Sequence, residues 1–305
     1  MRPYAPDIRR QLPACIRNVS SRPNRASSVP FSETWPYASA QSVPDAHTRG
    51  ECAMVDNAPS TTSRVAEVLL SFTDATAPLG VSQIARSCDL SKAVVHRILQ
   101  SLVAAGLVDY LPDTRRYCLG PAAVALGQTA AAGNRLYAAG MPAISHLANQ
   151  TGETTTLTAR RGHGRHYIGL VESINPIRIT VRMKDDVPLW SGASGISILA
   201  FMDPVDIDYV LSQERRAYTD ATVVDEAMLR DRLAETRERG WAHTAGERVR
   251  MSSSVAAPIF DRDGSPAGSL SVAYLVDRLG DTQHHDLAQL VLAAARDATA
   301  RLQGV

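Results

Sequence analysis

Small, polar and basic side chains recur on one side of a predicted helix that begins after Ser91. Its apolar residues recur at helical spacing and form the opposite, inward-facing stripe: Val95, Ile98, Leu99, Leu102 and Val103. A helix of this kind can place its N-terminal side chains against bases and phosphates in a DNA groove. The pattern therefore predicts a DNA-reading helix, whose expected contacts are Ser91, Lys92, Ala93, Val94, His96 and Arg97.

The neighbouring segments predict the elements that hold this helix in place. A tight break at residues 88–90 separates it from a shorter helical pattern, which we expect Ser82 to cap. A third amphipathic helix is indicated upstream by Val65, Val68, Leu69 and Phe72. Downstream, residues 107–111 and 116–119 favour two strands joined by a turn at 112–115.

Three helices followed by a hairpin make a winged helix-turn-helix, and Arg115 and Arg116 would then lie on the wing near the DNA phosphates. Two alternatives stay open from the residues alone. The segment could be an ordinary helical subdomain with a solvated basic face, or a helix-turn-helix that contacts only protein.

Length and composition limit the class of protein. The chain has 305 residues, 45% of them hydrophobic, and a formal net charge of only +1. Residues 60–135 carry seven basic against five acidic residues, so we expect DNA affinity to depend on dimerisation and a few placed contacts. The four cysteines lack CxxC spacing, which favours a reducing cytoplasm. No apolar run approaches the roughly 18 residues of a membrane span, and no secretory signal is recognisable.

The chain divides into four predicted segments. Residues 1–58 are rich in Pro, Ser, Arg and Ala and predict a disordered arm. This arm is either an over-long gene start, with translation beginning at Met54, or a flexible basic extension; the first is our hypothesis. The other segments are a winged helix-turn-helix domain (59–120), a linker helix (121–136) and an effector-binding and oligomerisation domain (137–305).

The last segment alternates helical and extended patterns. Strands are predicted at 154–160, 166–172, 177–183, 255–260 and 268–275. Helices are predicted at 136–151, 195–201, 205–211, 225–239 and 284–302. The mixed order predicts an α+β domain built around an antiparallel sheet.

Several spaced motifs resemble the IclR family of transcriptional regulators. Residues 97–108 and 116–120 resemble its DNA-binding domain, and residues 187–195, 239–241, 246–247 and 254–259 resemble its effector domain. The resemblance implies a winged helix-turn-helix, a linker helix and a GAF-like effector domain. It also implies a homodimer or dimer of dimers that binds a palindromic operator in double-stranded DNA. Effectors in the family are often organic acids or aromatics.

The resemblance further implies a set of effector-binding residues: Val187, Trp190, Ala193, Ser194, Thr244, Ser252, Ser254, Ser271 and Ala273. In this set Trp190 would form an apolar wall, and the N–H groups of Ala193 and Ser194 could hold an anion. The simpler interpretation is that Ser194 only caps a helix and the other serines are strand residues. The chain departs from the family at Trp190, Ile196, Thr244 and Ser254, which leaves the ligand class open.

The sequence gives weaker signals for metal binding and for catalysis. His163 and His166 flank a predicted turn, but no nearby Cys or carboxylate cluster completes a metal site. Residues 191–195 superficially resemble a nucleophile elbow, yet Ile196 occupies its last glycine position. We therefore expect no metal, no cofactor and no enzymatic activity. The hypothesis is a ligand-responsive DNA-binding regulator, more specifically a repressor; the alternatives are a small-molecule sensor acting through protein contacts, and an enzyme.

Overall fold

The structure, a computed structural model, describes residues 60–183, 187–279 and 281–304. The predictions for the N-terminal arm and for a start at Met54 lie outside these residues. The described chain begins with three helices and a hairpin: α1 (Thr61–Leu70), α2 (Val81–Ser87), α3 (Lys92–Ala104), β1 (Val108–Leu111) and β2 (Arg116–Leu119).

The apolar stripe of α3 forms the centre of this first domain. Val95, Ile98, Leu99 and Leu102 are buried against residues of α1 and α2, among them Val68 and Ile84. The hydroxyl of Ser91 accepts a hydrogen bond of 3.3 Å from the N–H of Val94, which confirms the predicted N-cap. The prediction for Ser82 is wrong: the cap position lies two residues earlier, at Gly80, which has no side-chain cap, and α2 begins at Val81.

The hairpin is attached to the helices by a short bridge. Leu79 and Tyr117 exchange two backbone hydrogen bonds of 2.8 Å, so the segment before α2 pairs with β2. Tyr117 is buried in the helical core, which fixes the orientation of the wing. The predicted winged helix-turn-helix is thereby confirmed as an arrangement of elements.

Two consecutive helices lead into the second domain. Helix α4 (Pro121–Gly133) is rich in alanine and contains no buried residue, whereas α5 (Arg135–Thr151) buries one face. The side chain of Asn134 caps α5 by accepting a hydrogen bond of 3.0 Å from the N–H of Tyr137. Helix α5 is capped at its C-terminus by Gly152, whose φ of 70° is a left-handed conformation that favours glycine.

The second domain contains a six-stranded sheet in which every neighbouring pair is antiparallel. Its strands, in spatial order β5-β4-β3-β8-β7-β6, are β3 (Thr154–Arg161), β4 (Gly164–Val171), β5 (Val187–Pro188), β6 (Ala242–Ala245), β7 (Ser252–Phe260) and β8 (Pro266–Leu275). The predicted α+β class with an antiparallel sheet is confirmed.

Two features of this sheet differ from the sequence prediction. The prediction of a strand at 177–183 is wrong, because that segment is irregular and β5 pairs with β4 in its place. Strand β6 was not predicted; its four residues are too few for a clear alternation, and its pairing with β7 defines it.

Helices cover both faces of the sheet. Helix α5 and the last helix, α9 (Asp281–Gln303), pack on one face, where Val255, Ala257 and Ile259 of β7 are buried. Ala256 points the other way and packs with α6 (Ala193–Leu199), α7 (Pro204–Ser212) and α8 (Glu226–Arg239). The period-two alternation of β7 thus serves two hydrophobic cores.

Candidate functional site

The outer face of α3 is basic and solvent-exposed. Lys92, Ala93, His96 and Arg97 are exposed, as is the capping Ser91, while Val94 is half-buried against the domain core. None of the ion pairs among the described residues involves Lys92 or Arg97. The structure therefore brings five of the six predicted helix contacts onto an open surface.

The two wing arginines have different surroundings. Arg115 lies in the turn of the hairpin with a φ of 53°, and its side chain is exposed. Arg116 is exposed as well, but its Nη1 donates a hydrogen bond of 3.0 Å to the carbonyl of Pro78. Arg115 is therefore the freer of the two to meet a phosphate, and Arg116 also ties the wing to the helical domain.

A cavity of about 390 Å³ lies in the second domain, between the sheet, the start of α6 and the segment before β5; we call it the sheet cavity. Seven of the nine predicted effector residues line it: Ala193, Ser194, Thr244, Ser252, Ser254, Ser271 and Ala273. These residues come from four separate elements, so only the tertiary fold brings them together.

Hydroxyl groups pair along the cavity wall. Thr156 and Ser271 are hydrogen-bonded at 2.6 Å between their side-chain oxygens, and Thr244 and Ser254 at 3.1 Å. The hydroxyl of Thr244 also accepts a hydrogen bond of 3.1 Å from the N–H of Ala193. That N–H group, which we expected to hold an anion, is thus already satisfied by a side chain.

The remaining two predicted residues do not line the sheet cavity. Val187 pairs with Arg165 at the edge of the sheet and is buried there. Trp190 is buried in the core formed by α6, α7 and α8, with its ring 5.9 Å from the ring of Tyr218. The apolar wall expected from Trp190 is absent from the cavity lining because the indole packs inward against that core.

Charged residues outside the predicted effector-binding set also line the cavity. Arg165, Arg182, Arg248 and Glu247 are all part of its wall. Arg165 and Tyr167 are two residues apart on β4, and side chains at this spacing on a strand point to the same face. The period-two pattern could therefore have placed them together. Glu247 is buried, in contact with Arg232, and its carboxylate accepts a hydrogen bond from the N–H of Gly192. Burial raises the pKa of Glu247, and Arg232 opposes that shift.

The arrangement matches known family models. Residues 61–112 match the IclR helix-turn-helix domain, and residues 128–300 match the bacterial transcriptional regulator IclR C-terminal domain. The chain belongs to the IclR family of transcriptional regulators. This confirms the resemblance drawn from the sequence motifs, and it establishes a DNA-binding regulator rather than an enzyme.

Individual IclR-family proteins are similar over most of the chain. The HTH-type transcriptional regulator BhcR of Paracoccus denitrificans is 30% identical over 220 residues, which are 72% of this chain and 79% of that protein. The glycerol operon regulatory protein of Streptomyces griseus is 35% identical over 201 residues, covering 66% and 79%. A crystal structure of an IclR regulator from Alicyclobacillus acidocaldarius has a TM-score of 0.67 at 27% identity, covering 79% of this chain and 98% of that one.

His163, one of the two histidines weighed as metal ligands in this IclR-family chain, has protein partners. The Nε2 atom of His163 lies 2.8 Å from Oδ1 of Asp206, and its ring lies 4.2 Å from that of Tyr209. Within the described ranges, no group of three or more His, Cys, Asp or Glu residues is arranged to hold a metal ion. In the same ranges, no helix has both the length and the apolar character required to cross a membrane.

Proposed function

We propose that this IclR-family chain is a cytoplasmic one-component repressor that binds a palindromic operator and releases it in response to a small metabolite. The observation that carries the proposal is the outer face of α3. Ser91, Lys92, Ala93, His96 and Arg97 are exposed on the helix that the domain core holds from behind. A major groove accepts a single α-helix, and polar side chains at its N-terminal end reach base edges.

The wing supplies contacts that position the reading helix. Arg115 is exposed at the turn of the hairpin, and the bridge between Leu79 and Tyr117 fixes that hairpin to the helical core. Phosphate contacts of this kind orient a protein on the duplex without reading sequence. We therefore assign base readout to α3 and backbone contact to Arg115 and Arg116.

The second domain serves as the effector domain in this proposal. The sheet cavity, at about 390 Å³, is large enough for a small metabolite such as an organic acid or a small aromatic. A homologue from Microbacterium hydrocarbonoxydans with the same fold has been crystallised with 4-hydroxybenzoate. We propose that a ligand in the sheet cavity changes which dimer or dimer-of-dimers arrangement is populated, and hence the affinity for the operator.

Selection of duplexes from a random-sequence pool tests the DNA function. The full chain should enrich a palindromic sequence, and the affinity for that sequence should fall steeply with salt. A chain that enriches no sequence and binds no duplex would instead favour a sensor that acts through protein contacts.

A substitution at the cavity wall tests the effector function. Ser194→Leu fills space at the start of α6, so this variant should lose any shift in thermal stability or operator affinity caused by pyruvate or 4-hydroxybenzoate. Ser212→Leu, at an exposed position that ends α7, is the matched control. Equal ligand responses in the parent, Ser194→Leu and Ser212→Leu would place the effector site elsewhere.

A further inference from the structure

The wall of the sheet cavity carries an excess of positive charge. Arg165, Arg182 and Arg248 line it, and Glu247 is its one acidic residue among those described. Glu247 is already engaged, because Arg232 and the N–H of Gly192 both contact its carboxylate. Among the described residues of the wall, these three arginines therefore have no acidic counterpart that is not already paired.

Arg165 is the most unusual of the three because it is only 1% exposed. Its Nε and Nη2 donate hydrogen bonds to the carbonyls of Pro188 and Ser191, at 3.2 and 2.9 Å. Its Nη1 has only the hydroxyl of Tyr167, at 3.4 Å. No ion pair among the described residues includes Arg165. A buried guanidinium without a carboxylate is costly unless another anion compensates it.

Arg248 lines the same cavity from the loop after β6. Its Nη1 is buried with no hydrogen-bond partner among the described residues, and its guanidinium lies 4.7 Å from the centre of the Tyr218 ring. The two arginines approach each other across Gly192. A Cβ on Gly192 would lie 3.4 Å from both Nη2 of Arg165 and Cδ of Arg248, so both arginine side chains pass close to this glycine.

The positive charge of Arg248 acts on Arg165, so an anion between the two would be favoured. Burial lowers the pKa of Arg165, and Arg248 lowers it further while Tyr167 opposes the shift. An arginine remains protonated at neutral pH, so the pair stays doubly positive. Guanidinium groups bind carboxylate and phosphate oxygens in a forked geometry, which makes an oxyanion the matching ligand.

We propose that Arg165 and Arg248 together bind the anionic group of a small hydroxylated metabolite, whose hydroxyl groups contact the Thr156, Ser271, Thr244 and Ser254 side chains. The proposal rests on the proposed function, in which the sheet cavity holds the effector. It limits the ligand class to hydroxylated carboxylates or phosphate esters and excludes neutral aromatics. The paired hydroxyls of the wall can exchange partners with ligand hydroxyls, since each can donate or accept.

Three three-carbon probes separate the contributions of charge and hydroxyl groups. Glycerol, glycerate and glycerol phosphate share a carbon skeleton and differ in the anionic group. Isothermal titration into the full chain should show glycerate or glycerol phosphate binding about tenfold or more tightly than glycerol. The anion that binds more tightly shows whether the anionic group of the ligand is a carboxylate or a phosphate ester. A chain that binds none of the three, or binds glycerol as tightly as the anions, overturns the proposal.

Variants of Arg248 test the site itself. Arg248→Gln should weaken anion binding about tenfold or more and leave glycerol binding unchanged, and Arg248→Lys should recover part of the loss. Arg250→Gln is the matched control, because Arg250 is exposed two residues away and pairs with Asp220. Unchanged anion affinity in Arg248→Gln overturns the proposal.

Arg165 is tested with a check on folding. Arg165→Gln should reduce anion binding as Arg248→Gln does, and circular dichroism is recorded first because Arg165 also holds two backbone carbonyls. If Arg165→Gln is unfolded, the Arg248 variants decide. Binding of the selected duplex is measured on the same samples. If the parent binds the duplex but does not distinguish the anions from glycerol, only the ligand assignment is wrong. If the parent binds no duplex, the proposed function is wrong.

Discussion

The backbone N–H of Met183 donates a hydrogen bond of 2.9 Å to Oδ1 of Asp74. Asp74 lies shortly after α1, in the domain that contains the reading helix, and Met183 directly follows residues 179–182 of the cavity wall. One hydrogen bond thus connects the DNA-binding domain with a segment that a ligand in the sheet cavity would touch. Hydrogen bonds to an ionised acceptor are stronger than neutral ones.

Removing this acceptor should loosen the cavity wall. In Asp74→Ala, we expect the amide of Met183 to exchange its hydrogen about tenfold faster or more, since one charge-assisted hydrogen bond is lost. Asp74→Asn keeps an oxygen acceptor at the same place and should protect the amide more than Asp74→Ala does. Hydrogen exchange resolved to this amide measures both. Equal exchange rates in the parent and Asp74→Ala would mean that the bond contributes nothing in solution.

Lys92 should contribute to DNA binding through charge. Because it is exposed in the first turn of α3 and has no ion pair among the described residues, Lys92→Ala should remove about one phosphate contact. The slope of log affinity against log salt should then decrease by roughly one. Arg216→Ala, which replaces an exposed arginine of the second domain, is the charge-matched control and should keep the parent slope. Identical slopes in the parent and Lys92→Ala would contradict the assignment of α3 as the reading helix.

The DNA-binding domain was predictable because its signals are local. The stripe from Val95 to Leu102 follows the helical repeat, and the Ser91 cap sits directly before it. The error at Ser82 is also local: a serine near a helix start fits a cap, but Gly80 takes that position and Ser82 lies inside the helix. Such boundary errors change a helix end by one or two residues and leave the packing unaltered.

The cavity could be predicted only in part because its wall depends on distant pairing. Residues 177–183 have the β-branched side chains of a strand, but β5 pairs with β4, and residues 179–182 of the segment line the cavity instead. The resemblance to the family supplied the hydroxyl residues. It could not supply Arg165 or Arg248, since only the tertiary fold brings β4, the segment before α6 and the loop after β6 together around the cavity.

Gly195 should be intolerant of any side chain. A Cβ at Gly195 would lie 2.5 Å from the carbonyl oxygen of Leu189 and 3.0 Å from Nε of Arg165, distances that require the backbone to move. Gly195→Ala should therefore reduce the free energy of unfolding by about 1–3 kcal/mol. Gly127→Ala is the matched control: Gly127 lies within α4 with open space around it, and alanine there should stabilise by roughly 0.5–1 kcal/mol. Chemical denaturation of both variants measures the contrast, and equal stabilities would show that α6 can shift away from Leu189 without cost.

The half-buried imidazole of His243 should make stability depend on pH. Its Nε2 lies 2.9 Å from Oγ of Ser253, and its ring lies 5.1 Å from that of His284, in the first turns of α9. Burial is the main cause that lowers the pKa of His243 to about 4, and the nearby His284, Arg239 and Arg232 contribute to the same shift. The neutral form is therefore the one that the folded state favours.

The sign of the dependence follows from this lowered pKa. In the unfolded chain His243 binds its proton near pH 6.5, whereas in the folded chain it does so near pH 4. The unfolded state thus gains the proton first as the pH falls, so stability is fully present above about pH 6.5 and is lost towards pH 4. The loss has an upper bound of about 3.5 kcal/mol, from about 1.4 kcal/mol for each pH unit between 6.5 and 4, and solvent screening of this half-buried group makes it smaller.

Comparison of variants isolates this contribution from the carboxylates that titrate in the same range. Chemical denaturation of the parent and of His243→Gln between pH 7 and about pH 4 should show a smaller acid-induced loss of stability in the variant. His284→Gln removes a neighbouring positive charge, so the pKa of His243 should rise towards its ordinary value and the loss should shrink in this variant too. Parallel pH profiles for the parent and His243→Gln would mean that the imidazole is as accessible to protons in the fold as in the unfolded chain. Since His243 lies on β6 beside the strand that carries Ser252 and Ser254 to the cavity, such a result would also call for a looser β6–β7 edge than the structure has.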